Sequence, residues 1–182
     1  MSHLVKKLFL NHTSENVFQN FEQQFKTILY REYTHLELFH IDCYTIDQYK
    51  QLDGVTILED TKNDTFLYSV DVKIVDKQRI IFAAIIFSPT SCETLNFTEK
   101  EKLAAIAHEG GHIIHYFNEN LTNANSLMVE LKADEVAEKL GLAEPLKTVL
   151  EKLKSSKLYS REQCQLMDFR MQLLKQNDYF NH

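Results

Sequence analysis

An α+β fold is the expectation for this chain of 182 residues, and three features of its sequence carry that expectation. Runs of β-branched and aromatic residues, Val55–Leu58, Phe66–Val75 and Arg79–Phe87, follow one another across short polar turns, which predicts strands joined as an antiparallel meander. Beyond them the apolar period changes from two to three and four and stays helical toward the C-terminus. The first of these later helices carries His108-Glu109-Gly110-Gly111-His112, so the segregated order of strands then helices brings a chemically loaded helix next to a sheet.

Taken in order, Val17, Phe18, Phe21, Phe25, Ile28 and Leu29 recur at helical steps and predict an amphipathic helix from Ser14 to about Tyr33. His35 to Tyr44 alternates weakly, as a strand would, and Thr45 to Leu52 reads as a short helix stopped by Asp53-Gly54. Arg79 to Phe87 is apolar on both faces and is therefore expected to be the most buried strand, ending at Pro89. Thr98-Glu99-Lys100-Glu101 forms a capping box, in which hydroxyl and carboxylate each satisfy an amide that the first helical turn leaves unpaired. That opens the histidine helix, which fades near Asn118. After an Asn-rich loop, Ser126 caps a helix to Leu140, with Gly141 in the terminating position. Glu144-Pro145 suits the first turn of a further helix, and Ser160 caps a last one reaching about Gln176.

Composition narrows the function. With 44% hydrophobic and 25% charged residues and only four Gly and two Pro, the chain has enough apolar material for a packed core, and residues 1–182 are expected to form one domain. A formal net charge of −6 argues against a nucleic-acid partner, because phosphate-binding surfaces concentrate positive charge. The basic run from Lys147 to Arg161 reads as a solvated helix face. Three cysteines, Cys43, Cys92 and Cys164, include no C-x-x-C pair and suggest neither a disulfide framework nor a thiolate metal site, as in a reducing compartment. The apolar run after Lys7 is too short for a signal-peptide core, and no stretch approaches the roughly 20 apolar residues of a membrane span. A cytoplasmic location without a membrane partner is the expectation. Nothing in the sequence specifies an oligomeric state.

His-Glu-x-x-His is the spacing that brings two imidazoles to one Zn²⁺ while the intervening glutamate handles a water. At about 100° per residue, His108 and His112 lie roughly 40° apart around the helix, whereas Leu103, Ile106, Gly110, Ile113 and Ile114 form the opposite, apolar face. Two histidines leave zinc short of ligands. Glu130, on the next helix, is the best third donor, and Asp134 one turn later shares its face and can accept the outer N–H of a ligating histidine. The rival is His115, but His108 and His115 are about 10 Å apart along a straight helix, which places His115 in the pocket wall instead. Glu109 is the candidate general base toward a metal-activated water and then the acid toward the leaving amine. For stabilising the oxyanion, Tyr159 is the nearest guess. Gly110 and Gly111 each cost a helix centre on the order of 1 kcal/mol relative to Ala. Close approach by the sheet to Gly110 and by the Glu130 helix to Gly111 would offset that cost. The remaining histidines are scattered and read as solvated.

HEGGH followed by Glu130-Leu-Lys-Ala-Asp134 resembles the HExxH plus ExxxD pairing of the zincin metallopeptidases, in their gluzincin branch. The strings HEGGHIIH and ELKADEVA are also similar to the ImmA/IrrE type of small metallopeptidase. This resemblance spans about Arg79 to Gly141. It implies a zincin-like α+β fold, a small antiparallel sheet packed on the HExxH helix with a helical C-terminal part. It further implies Zn²⁺ on His108, His112 and Glu130, Glu109 as catalytic base, Asp134 as partner of a ligand histidine, and a peptide or protein as substrate. Gly110 departs from the usual first variable position, and residues 1–54 and those beyond Gly141 carry no resemblance. The alternative is a non-catalytic zincin-like binding or regulatory protein whose metal is structural or lost.

Overall fold

A strand that is apolar on both faces has to be covered on both, and β3 (Gln78–Phe87) is the central strand of a three-stranded sheet ordered β1-β3-β2. The structure is a computed structural model, and it describes residues 27–28, 31, 39–52, 65–75, 78–115 and 126–177. β2 (Phe66–Val75) pairs with β3 antiparallel, Phe66 opposite Phe87 and Val75 opposite Gln78, as two strands so close in sequence require. β1 (Phe39–Thr45) takes the other edge and runs parallel to β3, with Phe39 opposite Ile81 and Thr45 opposite Phe87.

The sheet is therefore mixed, which corrects the expected all-antiparallel meander. A tight turn dictates the direction of its own two strands only. β1 and β3 are not consecutive, β2 lying between them in the sequence, so no local pattern records their parallel pairing. The predicted strand Val55–Leu58 lies outside the described residues. So does most of the predicted helix Ser14–Tyr33, of which positions 27, 28 and 31 are helical and Ile28 is buried.

Alternation along β3 divides two layers. Ala83 and Ile85 face one way and join Ile106, Ile113 and Ile114 in the main core, while Ala84 and Ile86 face the other and pack with Tyr49. Tyr49 belongs to α1 (Ile46–Lys50), whose entry is fixed by a capping box between Thr45 and Gln48. Ser88 caps α2 (Pro89–Thr94), a short helix with Pro89 at its first turn, so the proline that ends β3 also starts a helix.

The histidine helix is α3 (Glu99–His115). The Thr98 amide donates to Glu101 Oε2 at 2.6 Å and the Glu101 amide donates to Thr98 Oγ1 at 3.3 Å, which is the expected capping box. Lys152 Nζ donates to the same Glu101 oxygen at 2.7 Å and to the Asn96 carbonyl at 2.6 Å, so the start of α3 is pinned to α5 (Ala143–Ser155). Burial pushes the Glu101 carboxyl up, but Lys152 and the Thr98 amide outweigh it and hold the group below its usual range. α4 (Ser126–Lys139) ends where Gly141 adopts φ +73°, with the Leu142 amide donating back to the Ala137 carbonyl at 2.9 Å. α6 (Arg161–Asn177) starts at a reciprocal pair between Ser160 and Gln163. No helix among the described residues is long and apolar enough to cross a membrane.

α3 and α4 approach so closely that a Cβ at Gly111 would stand 2.6 Å from both the Cα and the carbonyl oxygen of Ala133. Those are backbone atoms and cannot rotate away. Gly111→Ala is accordingly expected to destabilise the chain by about 1–3 kcal/mol or more, since overpacking here can be relieved only by separating the helices. Urea unfolding of the variant checks this, and an unchanged midpoint would contradict the close approach.

Candidate metal centre

Helical spacing turns His108 and His112 to the same side of α3, where both are buried, at 8% and 9% exposure. α4 crosses at Gly111 and carries Glu130 and Asp134, also one turn apart, toward them. The result is a compact group of three donors. His108 Nε2 and His112 Nε2 are 3.1 Å apart, Glu130 Oε2 is 3.3 Å from the first, and Glu130 Oε1 is 3.5 Å from the second. Among the described residues His108, His112 and Glu130 are thus placed where they could hold one metal ion. Asp134 lies behind them, its Oδ1 2.8 Å from His108 Nδ1. A proton on His108 Nδ1 donates to that carboxylate, which leaves Nε2 directed into the group. His115 is half-buried at the last position of α3, outside the group.

The sequence did not point to Arg170. It is 5% exposed, on α6, and its Nε and Nη2 donate to the two oxygens of Asp134 at 2.8 and 2.7 Å, a fork-on-fork pair. Its Nη1 donates to Glu130 Oε2 at 2.6 Å, and Nη2 lies 3.2 Å from His108 Nδ1. One guanidinium therefore holds both acidic side chains of α4 in place. A faint signal was present: Met167, Arg170 and Leu174 fall on one buried stripe of α6, so the arginine interrupts an apolar face. A cation at such a position requires buried anions, and 36 residues separate it from Asp134 along the chain.

This mutual pairing sets the protonation states at the site. Burial and the Arg170 charge lower the affinity of His108 for its proton, yet the Asp134 and Glu130 carboxylates outweigh them and raise its pKa to about 9. Burial and the neighbouring His108 charge push His112 down to about 3, so it is neutral. Both carboxyls are driven up by burial but held well below their usual range by His108 and Arg170. A charged His108 also carries a proton on Nε2, which faces both Glu130 Oε2 at 3.3 Å and His112 Nε2 at 3.1 Å, and the other ring nitrogen of His112 is Nδ1. That Nδ1 is buried with no hydrogen-bond partner among the described residues, an arrangement that costs about 1–3 kcal/mol. The ring is instead held by packing, with Tyr68 of β2 stacked on it at 5.1 Å between centroids and 19° between planes. Its orientation satisfies the donor group better than it satisfies the ring.

Glu109, half-buried, lines a cavity of about 350 Å³ together with His108, His112, Glu130 and Arg170. Tyr159 lines the same cavity, as do Thr65 to Tyr68 of the β2 region. Comparison of the chain with protein-family models, with curated protein sequences and with solved structures found no match.

Proposed function

We propose that the chain is a zinc-dependent metallopeptidase of zincin-like architecture, related to the gluzincins of the ImmA/IrrE type and acting in the cytoplasm on a peptide or protein. The observation that carries this reading is the spacing of the three donors. A tetrahedral ion with bonds of about 2.0–2.1 Å has ligand atoms about 3.3–3.4 Å apart; the two Nε2 atoms here are 3.1 Å apart, Glu130 offers Oε2 at 3.3 Å from the first and Oε1 at 3.5 Å from the second, and one donor atom from each residue can be taken with all within 4.8 Å. Once His108 gives up its Nε2 proton, two neutral imidazoles and one carboxylate are also a donor set that suits zinc in a hydrolytic site. Zinc bound there would polarise a peptide carbonyl and bring the pKa of a water toward ~7.

The chain's own residues supply the remainder. Asp134 fixes the His108 tautomer, and Arg170 anchors Asp134 and one oxygen of Glu130, so neither ligand has to be ordered when metal or substrate arrives. Glu109, in the cavity wall, accepts a proton from the attacking water and returns it to the leaving amine. β3 is interior to the sheet, whereas β2 is its outer strand among the described residues and its first residues line the cavity. An extended substrate pairs with β2 through its backbone.

A second reading is favoured by Arg170 itself. Its contacts with Glu130 and Asp134, together with a charged His108, balance the two carboxylates without any metal, as in a non-catalytic zincin-like binding protein. Metal analysis of protein purified without chelator separates the two. About one equivalent of zinc is expected, with a melting temperature that rises with added zinc by mass action. Under about a tenth of an equivalent, with none taken up on addition, would overturn the metallopeptidase proposal.

A further inference from the structure

We infer that Tyr68 is a positioning residue for His112: its ring sets the plane of the imidazole and so aims Nε2 into the donor group, a role that rests on the metal site proposed above. The two histidines are held by different means. His108 is fixed through a polar contact, its Nδ1 lying 2.8 Å from Asp134 Oδ1. His112 has no such handle among the described residues, since its Nδ1 is buried without a hydrogen-bond partner. What meets this ring is aromatic. Tyr68 lies nearly parallel to it, at 5.1 Å between centroids and 19° between planes, and the His108 ring meets it almost at right angles, at 4.6 Å and 82°. Ordinary core packing does not account for the stack, because Tyr68 is 38% exposed at the cavity wall while the imidazole it covers is buried.

The lone pair of an imidazole nitrogen lies in the ring plane, so the plane decides where that nitrogen can bind. Rotation of a histidine ring about Cβ–Cγ is broad and roughly two-fold, and the helix backbone alone leaves the plane open. A parallel ring against one face reduces that freedom to one plane and its 180° flip. The flip is then chosen by the neighbours of Nε2, His108 Nε2 at 3.1 Å and Glu130 Oε1 at 3.5 Å. Tyr68 itself is placed by the sheet. It stands opposite Ile85 of β3, which is 1% exposed in the main core, and Phe66, two residues earlier on the same face, stacks on Phe97 just before α3. β2 is thereby held against the helix that carries the ligand, which keeps the Tyr68 ring over His112.

Zinc binding by the full chain, measured in competition with a chromophoric chelator, tests this in Tyr68→Leu and Tyr68→Phe. Leucine is apolar but has no ring face, and is expected to weaken zinc binding ~10–100-fold, the loss typical when an outer partner of a metal ligand is removed. Phenylalanine keeps the face and is expected to bind zinc about as tightly as the wild type. Cobalt(II) in place of zinc reports the direction of the ligands, and its visible bands are expected to shift in Tyr68→Leu and to stay in Tyr68→Phe. A merely structural residue would lower the melting temperature of Tyr68→Leu and leave the cobalt bands unmoved. Wild-type zinc affinity and cobalt bands in Tyr68→Leu would overturn the role, and so would an equal loss in Tyr68→Phe, which would assign the effect to the hydroxyl. If the wild-type chain takes up neither metal, the metallopeptidase proposal fails, and NMR of 13C-labelled histidine rings in the metal-free protein still decides the positioning role. The His112 ring signal is then expected to be sharp in wild type and Tyr68→Phe and broadened or doubled in Tyr68→Leu, whereas a signal unchanged in Tyr68→Leu would overturn it.

Discussion

Replacing Glu109 by glutamine is expected to lower turnover on a cleaved peptide by on the order of 10²-fold or more, with zinc content and melting temperature at wild-type values. The amide keeps the size of the carboxylate and removes its basicity together with its charge, which is one of those acting on Arg170. Glu109 is not one of the three grouped donors, and the substitution leaves His108, His112 and Glu130 as they stand. His112→Ala is expected to fail differently. It removes one of the three donors and the ring on which Tyr68 stacks, so metal is lost and the melting temperature falls with it. Parallel measurement of zinc by elemental analysis, unfolding by calorimetry and hydrolysis by chromatography separates the two patterns. If Glu109→Gln keeps the full effect of the protein on its partner in cells while His112→Ala abolishes it, the hydrolase proposal is wrong and the metal holds a binding surface in shape.

Arg170→Met is expected to destabilise the metal-free protein by about 3–5 kcal/mol, the cost of removing one partner from a buried charged network. The substitution preserves volume but, among the described residues, leaves Asp134, 3% exposed, and Glu130 with only His108 to balance them. Arg170→Lys restores the charge without the fork that spans both Asp134 oxygens, so it should recover part of the loss. Zinc bound as proposed would supply positive charge at Glu130, and the deficit of Arg170→Met is therefore expected to shrink when zinc is added. Urea unfolding of the three proteins with and without zinc checks each point. A deficit for Arg170→Met under about 1 kcal/mol would mean that water, not the guanidinium, satisfies the carboxylates.

Periodicity and caps were enough to place α3, α4, α5 and α6 and to bring four residues of the site together on paper. Each of those inferences is local. Two histidines four apart share a helix face whatever surrounds them, Glu130 and Asp134 do the same, and the Thr98 and Ser160 boxes report where the helices begin. Gly111 even carried a tertiary message, because two adjacent glycines in a helix centre make sense only where another backbone comes close, and Ala133 does.

What the local patterns left open is everything decided by the path of the chain between elements. β1 pairs parallel to β3 across the edge opposite β2, although each strand taken alone would pair in either direction. Arg170 reaches the site from a helix more than 50 residues beyond the second histidine, and no spacing rule links an arginine there to an aspartate on α4. Leu146, Val149 and Leu150 are buried on α5, but only the packing of α5 against α3, and of α6 against α4 and α5, leaves a cavity between them and the donor group. The donors are legible in sequence because helix geometry fixes their spacing; their counter-charge and the shape of the space beside them depend on how helices cross, which packing alone decides.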